Sequence, residues 1–174
     1  PYARKGKRSG AWANTYRDHA MLNGVRTVLS SNNSNFIKPA EGEAVLISWD
    51  DATTFFHEFG HLLHEMLTTV ELSSQSGTSV AMDFVEAPSQ MLENWVWNKQ
   101  ALNQFARHYK TGELIPDSLL NRMLAARNLQ SGNNLLQQIL YGTLDMTFYD
   151  RFDPSGKLTM TETAAELQDR KNVV

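Results

Sequence analysis

Residues 48–67 read SWDDATTFFHEFGHLLHEML, and this stretch decides the fold of the chain. Ser48 and Asp51 fit the capping-box pattern, in which a hydroxyl caps a helix and an acidic side chain three residues later returns a hydrogen bond. Large apolar residues then cover most of the helix circumference instead of one stripe, which predicts a largely buried helix. These residues are Phe55, Phe56, Phe59, Leu62, Leu63, Met66 and Leu67.

The same helix contains His57-Glu58-Phe59-Gly60-His61, a His-Glu-x-x-His pattern. Four residues at about 100° each place His61 about 40° from His57 and about 6 Å further along the axis, so both imidazoles can bind one ion. Glu58 projects roughly 100° to one side, where it can contact a water on that ion. A chance match is the alternative, but two imidazoles on a buried face would then need hydrogen-bond partners. The pattern therefore predicts a metal centre.

A catalytic zinc needs a third protein ligand and an open coordination position. Glu86 is the leading candidate, because it falls in the first turn of the next predicted helix, where the helix dipole favours a carboxylate. His64 shares a face with His57 but lies about 10.5 Å along the axis, which is too far for one ion. The other candidates are Glu65, Glu71, Asp83, Glu93 and, more weakly, Gln90. The hydrogen-bond acceptors expected for the two imidazoles are Asp83, Gln90 or Glu93.

The composition excludes several classes of site and partner. The chain has 174 residues, with 16 Lys and Arg against 19 Asp and Glu and a formal charge of −3, so nothing favours nucleic acid or an anionic membrane. It contains no Cys, which excludes disulfides, thiolate zinc sites and cysteine nucleophiles. No apolar run approaches the roughly 18 residues of a membrane-spanning helix. Any metal must therefore be held by histidines and carboxylates.

The remaining pattern predicts a mainly α fold with a small β portion near the front. Residues 1–24 are basic and punctuated by glycine, which predicts irregular structure. Apolar and β-branched runs predict strands at 25–30 and 44–47, with a polar loop at 30–35 between them. Further helices are predicted at 84–109, 116–129 and 135–148, and residues 163–170 are helix-like.

Residues 55–64 (FFHEFGHLLH), 76–78 (SGT) and 83–95 (DFVEAPSQMLENW) form a set of motifs. Together they closely resemble the thimet oligopeptidase, oligopeptidase A and dipeptidyl carboxypeptidase family of zinc metallopeptidases. Residues 7–12 and 108–113 also resemble segments of that family, so the resemblance covers nearly the whole chain.

The resemblance implies a fragment of a zincin-like helical metallopeptidase domain that hydrolyses short, unstructured peptides. In that family the positions of His57, His61 and Glu86 bind one zinc ion (Zn2+), and the position of Glu58 is the general base that activates water. Residues 76–78 resemble a mobile loop beside the cleft, although an ordinary turn is the alternative. The expected partners are short peptide substrates, without nucleic acid or membrane, and the full-length protein is expected to be monomeric and cytoplasmic.

The sequence departs from the family pattern at two positions. Thr53 and Met82 stand where some relatives carry an acidic residue and an arginine, and neither change leaves a buried charge unpaired. The Gly-rich segment whose Tyr and His steady the tetrahedral intermediate in the family is expected beyond Val174. Two other functions stay open, namely a non-catalytic zinc-binding or peptide-binding module and a helical interaction domain with a chance motif.

Neither end of the chain resembles a natural terminus. The chain begins at Pro1 without a Met or an apolar leader, and it ends at Val174 without a cap after the last helix-like segment. We therefore expect residues 1–174 to form part of one metallopeptidase catalytic domain whose boundaries lie outside the chain.

Overall fold

The computed structural model describes residues 1–21, 24 and 27–171. Within them the chain is mostly helical with one two-stranded sheet, which confirms the predicted fold class. The strands are β1 (Trp12–Arg17) and β2 (Leu29–Asn33). The helices are α1 (Trp49–Met66), α2 (Ala87–Glu93), α3 (Lys99–Phe105), α4 (Asp117–Ala126), α5 (Ser131–Met146) and α6 (Met160–Lys171). Shorter helical turns lie at Ser73–Gln75, Asn94–Trp97 and Thr147–Arg151.

The chain divides into two compact units, residues 1–120 and residues 121–174. The first unit contains the sheet and helices α1 to α3, and its most deeply buried apolar side chains are Leu62, Val96, Leu102 and Leu120. In the second unit α5 packs against α6. All the metal-ligand candidates therefore belong to the first unit.

The sheet differs from the sequence-based prediction. Strand β1 lies in the segment that was expected to be irregular, and it pairs antiparallel with β2 in a register that sets Trp12 opposite Asn33. The strand predicted at 25–30 lies partly outside the described residues, and β2 extends instead through the segment predicted as a polar loop. Polar side chains stabilise this strand, since the Asn32 amide donates to the Phe55 carbonyl of α1 at 3.1 Å.

The strand predicted at 44–47 is wrong. These residues are exposed and have no regular structure, because β2 already pairs with β1 and no other strand of the described chain is available to them. Val45, Leu46 and Ile47 instead line a largely apolar cavity of 510 Å³ beside the start of α1.

Helix α1 begins where the capping box predicts. The Asp51 amide donates to Ser48 Oγ at 3.0 Å, and the Ser48 amide donates to Asp51 Oδ2 at 3.2 Å. The helix is less buried than predicted, because Phe55 and Phe59 remain 40% and 38% exposed. Its buried positions are Glu58, Gly60, Leu62 and Glu65.

The long helix predicted at 84–109 is broken into α2, a helical turn and α3. Pro88 lies in the first turn of α2, where its missing N–H costs no hydrogen bond. Asn98 starts a new helix, since its side chain accepts a hydrogen bond from the Ala101 amide at 3.0 Å. The helix predicted at 116–129 ends at Ala126, and the one predicted at 135–148 begins earlier, at Ser131. The helix-like segment 163–170 is confirmed within α6.

None of the helices in the described ranges combines the length and the apolarity that crossing a bilayer requires.

Candidate metal centre

Helix α1 presents two histidine rings on one face. The centroids of the His57 and His61 rings lie 5.0 Å apart and the rings are almost perpendicular, at 84°. Both side chains are mostly buried, with 23% and 12% of their surface exposed. The i, i+4 spacing therefore produces the juxtaposition that helix geometry predicts.

A close approach of α2 to α1 brings the third candidate ligand to these rings. Gly60 lies between the two histidines in sequence, and a Cβ built on it would lie 2.6 Å from Ser89 Cα and 2.9 Å from Pro88 O. Only glycine permits helix backbones to approach this closely. Glu86, at the N-cap position of α2, is thereby carried to the ligand face of α1.

One carboxylate oxygen meets both imidazoles. Glu86 Oε2 lies 3.0 Å from His57 Nε2 and 3.2 Å from His61 Nε2. The ligand atoms of the three residues all lie within 4.8 Å of one another. Two imidazole nitrogens and one carboxylate oxygen form a donor set that suits a catalytic zinc with an open coordination position. The residues present therefore fit a divalent metal ion.

Ser89 orients the Glu86 carboxylate. Its side chain is fully buried, and its hydroxyl donates to Glu86 Oε2 at 2.7 Å. This hydrogen bond is the largest cause that holds the pKa of the Glu86 carboxyl below its ordinary value of 4.5, against the opposing effect of burial. Glu86 is therefore an anion at neutral pH, as a metal ligand must be.

Glu93 contacts the other nitrogen of His57. The distance from His57 Nδ1 to Glu93 Oε1 is 2.7 Å. Donation from Nδ1–H to this carboxylate fixes the tautomer that leaves the Nε2 lone pair directed at the site. Of the three acceptors left open by the sequence, Glu93 alone makes such a contact among the described residues, whereas Asp83 and Gln90 are exposed. The Nδ1 atom of His61 is buried and, within the described chain, has no hydrogen-bond partner.

Glu58 lies beside the same site, and only 8% of its surface is exposed. It lines an open cavity of 380 Å³ together with His57 and Glu93. The cavity is completed by Asp50, Thr53 and Thr54. Of the three candidate ligands, only His57 lines this cavity in the described part of the chain, so a water there can contact Glu58 beside His57.

The other candidate ligands point elsewhere. The His64 ring packs edge-to-face against Phe84, with centroids 6.2 Å apart. The buried Glu65 carboxylate accepts hydrogen bonds from Thr78. Glu71 is exposed. These residues are therefore not part of the cluster.

Sequence reasoning did not recognise the parts played by Gly60 and Ser89. A glycine in the middle of an otherwise apolar helix is a signal of close backbone approach. Ser89 follows Glu86 at i+3, a spacing that puts the two side chains on one helix face. Both signals are present in the sequence, but which residues Gly60 and Ser89 contact can be seen only in the tertiary structure.

The whole chain, residues 1–174, matches the model of peptidase family M3. It is 39% identical to oligopeptidase A of Escherichia coli (strain K12) over 176 aligned positions, which cover 99% of this chain and 26% of that protein. It is 38% identical to dipeptidyl carboxypeptidase of the same strain over 85% of this chain and 22% of the relative. Identity to thimet-like oligopeptidase of Dictyostelium discoideum is 42% over 78% of this chain and 20% of the relative. The chain thus spans between about a fifth and a quarter of the length of these relatives. On this match over residues 1–174, the chain belongs to peptidase family M3.

Proposed function

We propose that the chain carries the zinc centre of a metallopeptidase that hydrolyses peptide bonds in short, unstructured peptides. The observation that carries this proposal is the convergence of His57, His61 and Glu86 within 4.8 Å, beside a nearly buried Glu58. The names of the relatives, oligopeptidase A, dipeptidyl carboxypeptidase and thimet-like oligopeptidase, support a peptide as the substrate. The activity belongs to the whole protein that contains this chain.

His57, His61 and Glu86 would hold the ion through two Nε2 atoms and one carboxylate oxygen. A zinc ion in such a site supplies Lewis acidity and lowers the pKa of water to about 7. With two neutral imidazoles and one anionic carboxylate, the ligands leave the centre a net positive charge. Such a charge would stabilise negative charge that develops on the oxygen of a substrate carbonyl.

Glu58 is the proposed general base. Its carboxylate lines the same cavity as His57, so it can accept a proton from a water in that cavity. The oxygen of that water forms a bond to the carbonyl carbon, and as the carbon–nitrogen bond of the peptide then breaks, the protonated Glu58 returns the proton to the leaving amine. The carboxyl is thus regenerated as a carboxylate, and one water is consumed for each bond hydrolysed.

The test replaces Glu58 by Gln in the intact protein, with the exposed Gln90→Ala as a matched control near the site. We expect Glu58→Gln to bind one zinc ion per chain, as the wild type does, and to lose about 10²- to 10⁴-fold in peptide hydrolysis, since it removes the base alone. Elemental analysis and a quenched fluorescent peptide, with and without chelator, measure the two quantities.

Three outcomes would contradict the proposal. Undiminished turnover by Glu58→Gln would remove Glu58 from the mechanism. A wild-type protein that holds zinc but never cleaves a peptide would indicate a non-catalytic zinc-binding or peptide-binding module. A purified protein without zinc would indicate a helical interaction domain with a chance motif.

A further inference from the structure

A buried carboxylate near the end of α1 has no part in the proposed chemistry. Only 3% of the surface of Glu65 is exposed. Burying a charged group is costly unless other groups compensate it. Within residues 1–21, 24 and 27–171, no Lys, Arg or His forms an ion pair with Glu65. Its compensation must therefore come from hydrogen bonds.

Those hydrogen bonds come from a loop that follows α1. Glu65 Oε1 accepts one from the Thr78 amide at 3.1 Å and one from the Thr78 hydroxyl at 2.6 Å. The other oxygen, Oε2, is buried without a partner in the described chain, as is the hydroxyl oxygen of Ser76. We refer to residues 76–78 as the 76–78 loop.

Gly77 lets this loop lie directly on the carboxylate. Its φ is +55°, in the left-handed region that favours glycine. A Cβ at this position would collide with all three carboxyl atoms of Glu65. The backbone of the loop and the Glu65 side chain are therefore fitted to each other, and a side chain at position 77 would separate them.

Glu65 lies on the metal-ligand side of α1. It follows His61 by one helical turn, which places it about 40° around and about 6 Å along the axis. The 76–78 loop also precedes the ligand Glu86 in the segment that joins α1 to α2. One buried side chain thus ties this segment to the helix that supplies the other two ligands.

We propose that Glu65 is a positioning residue that fixes the 76–78 loop beside the metal centre in the conformation that peptide binding requires. The binding part of this inference rests on the proposed peptidase function. An extended peptide advances about 3.3 Å per residue, so a loop one helical turn from His61 is within reach of residues two or three positions from the scissile bond. The Glu65 side chain is hydrogen-bonded to Thr78 and lies against Gly77, and within the described residues no side-chain hydrogen bond or ion pair joins it to the proposed ligands or the base. Its loss should therefore impair peptide binding more than turnover.

The first test needs no substrate and measures hydrogen exchange of the Thr78 amide in the intact protein. We expect Glu65→Ala to accelerate this exchange about tenfold, because the acceptor is removed. Glu65→Gln should stay within about threefold of the wild type, since its amide oxygen can accept both hydrogen bonds from Thr78. Glu71→Ala, which removes an exposed glutamate, is the control and should change nothing. Unaltered exchange in Glu65→Ala would overturn the proposal.

A double-mutant cycle tests the fit between the glycine and the carboxylate. Gly77→Ala should accelerate Thr78 exchange strongly in the wild type, where the new Cβ meets the carboxylate. In the Glu65→Ala background the same change should have a smaller effect, because the colliding group is gone and only the cost of the positive φ remains. Equal effects in the two backgrounds would show that Glu65 and Gly77 are not coupled and would contradict the proposal.

A third test separates KM from kcat for a short peptide. We expect Glu65→Ala to raise KM about three- to tenfold while kcat stays within about twofold, and Glu65→Gln to restore KM. A fall in kcat at unchanged KM would overturn the positioning role. Should Glu65→Ala fail to fold, Thr78→Val decides, since it removes the hydroxyl donor but keeps the carboxylate, and it should also raise KM. If even the wild type cleaves no peptide, the proposed function fails, while the exchange measurements still show whether Glu65 fixes the loop.

Discussion

At the scale of single residues, the carboxylate of Glu93 would orient His57 toward the proposed metal ion. With Glu93 Oε1 only 2.7 Å from Nδ1, the imidazole is held in one tautomer and one orientation. Removing such a partner of a metal ligand lowers metal affinity about 10- to 100-fold. We predict a loss near the lower end of this range for Glu93→Gln, which keeps an acceptor oxygen, and a larger loss for Glu93→Ala.

A competition titration against a chelator measures this affinity, with Gln90→Ala as an exposed control on the same helix. Wild-type affinity in both Glu93 variants would mean that the hydrogen bond does not orient the ligand.

Residue spacing explains which parts of the site could be predicted. The 40° offset between His57 and His61 is a property of any α-helix, so the sequence alone predicts that the two rings meet. Glu86 could be ranked first because the pattern placed it in the first turn of the next predicted helix, where the helix dipole favours a carboxylate, and the structure has it at the N-cap of α2. The contact of Glu86 with both rings depends on the close approach of Gly60 to Ser89. The contact of Glu93 with His57 depends on the same approach. Residue spacing gives the relative positions of side chains within one helix, but it does not show which side chains of two helices are in contact.

At the scale of elements, the close approach of α1 and α2 depends on the absence of a side chain at Gly60. A methyl group there would lie 2.6 Å from the Cα atom of Ser89 and 2.9 Å from the carbonyl oxygen of Pro88, and backbone atoms cannot move away as a flexible side chain can. We predict that Gly60→Ala destabilises the protein by about 1–3 kcal/mol, although alanine favours the helix itself. The displaced α2 should also carry Glu86 away and weaken zinc binding.

Urea unfolding and zinc titration measure the two effects of Gly60→Ala. The matched control is Gly142→Ala in the middle of α5, where a Cβ meets open space and should stabilise the helix by up to about 1 kcal/mol. Equal behaviour of the two variants would refute the steric argument.

The elements that sequence reasoning misjudged are those set by local polar contacts or by pairing partners. The break between α2 and α3 depends on the Asn98 cap, a polar residue inside an otherwise helical pattern. Strand β2 contains two serines and two asparagines, which are poor strand formers, and it forms because β1 and α1 supply hydrogen-bond partners. Conversely, the apolar run at 44–47 has high strand propensity but pairs with no strand in the described part of the chain.

Helix α6 should respond to acid through its first turn. Glu162 Oε2 accepts hydrogen bonds from the amide and the hydroxyl of Thr159, both at 2.8 Å. These two hydrogen bonds hold the pKa of the Glu162 carboxyl below its ordinary value of 4.5. Because the pKa is lower in the folded state, the stabilisation is present above about pH 4.5 and is lost as the pH falls through the folded-state pKa.

We predict that the Thr159 amide exchanges faster as the pH falls below about 4.5, after correction for the intrinsic exchange rate. Glu162→Gln should remove this pH dependence. Glu166→Gln, an exposed glutamate on the same helix, should retain it. A Glu162→Gln protein with the wild-type acid response would assign the transition to another group.

At the scale of the whole molecule, a metal ion would link elements that are far apart in sequence. The proposed ligands come from α1 and from the start of α2, and the chain between them includes the 76–78 loop. An ion that binds only the folded arrangement stabilises it by about 2.7 kcal/mol at a free concentration 100 times Kd.

We predict that zinc slows hydrogen exchange at Leu62 and Leu102 in the core of the first unit, and that a chelator reverses the effect. His61→Ala should abolish the response to zinc because it removes one of three ligands, whereas His108→Ala, in an exposed turn outside the cluster, should retain it. A response to zinc that survives in His61→Ala would place the stabilising ion somewhere other than this centre.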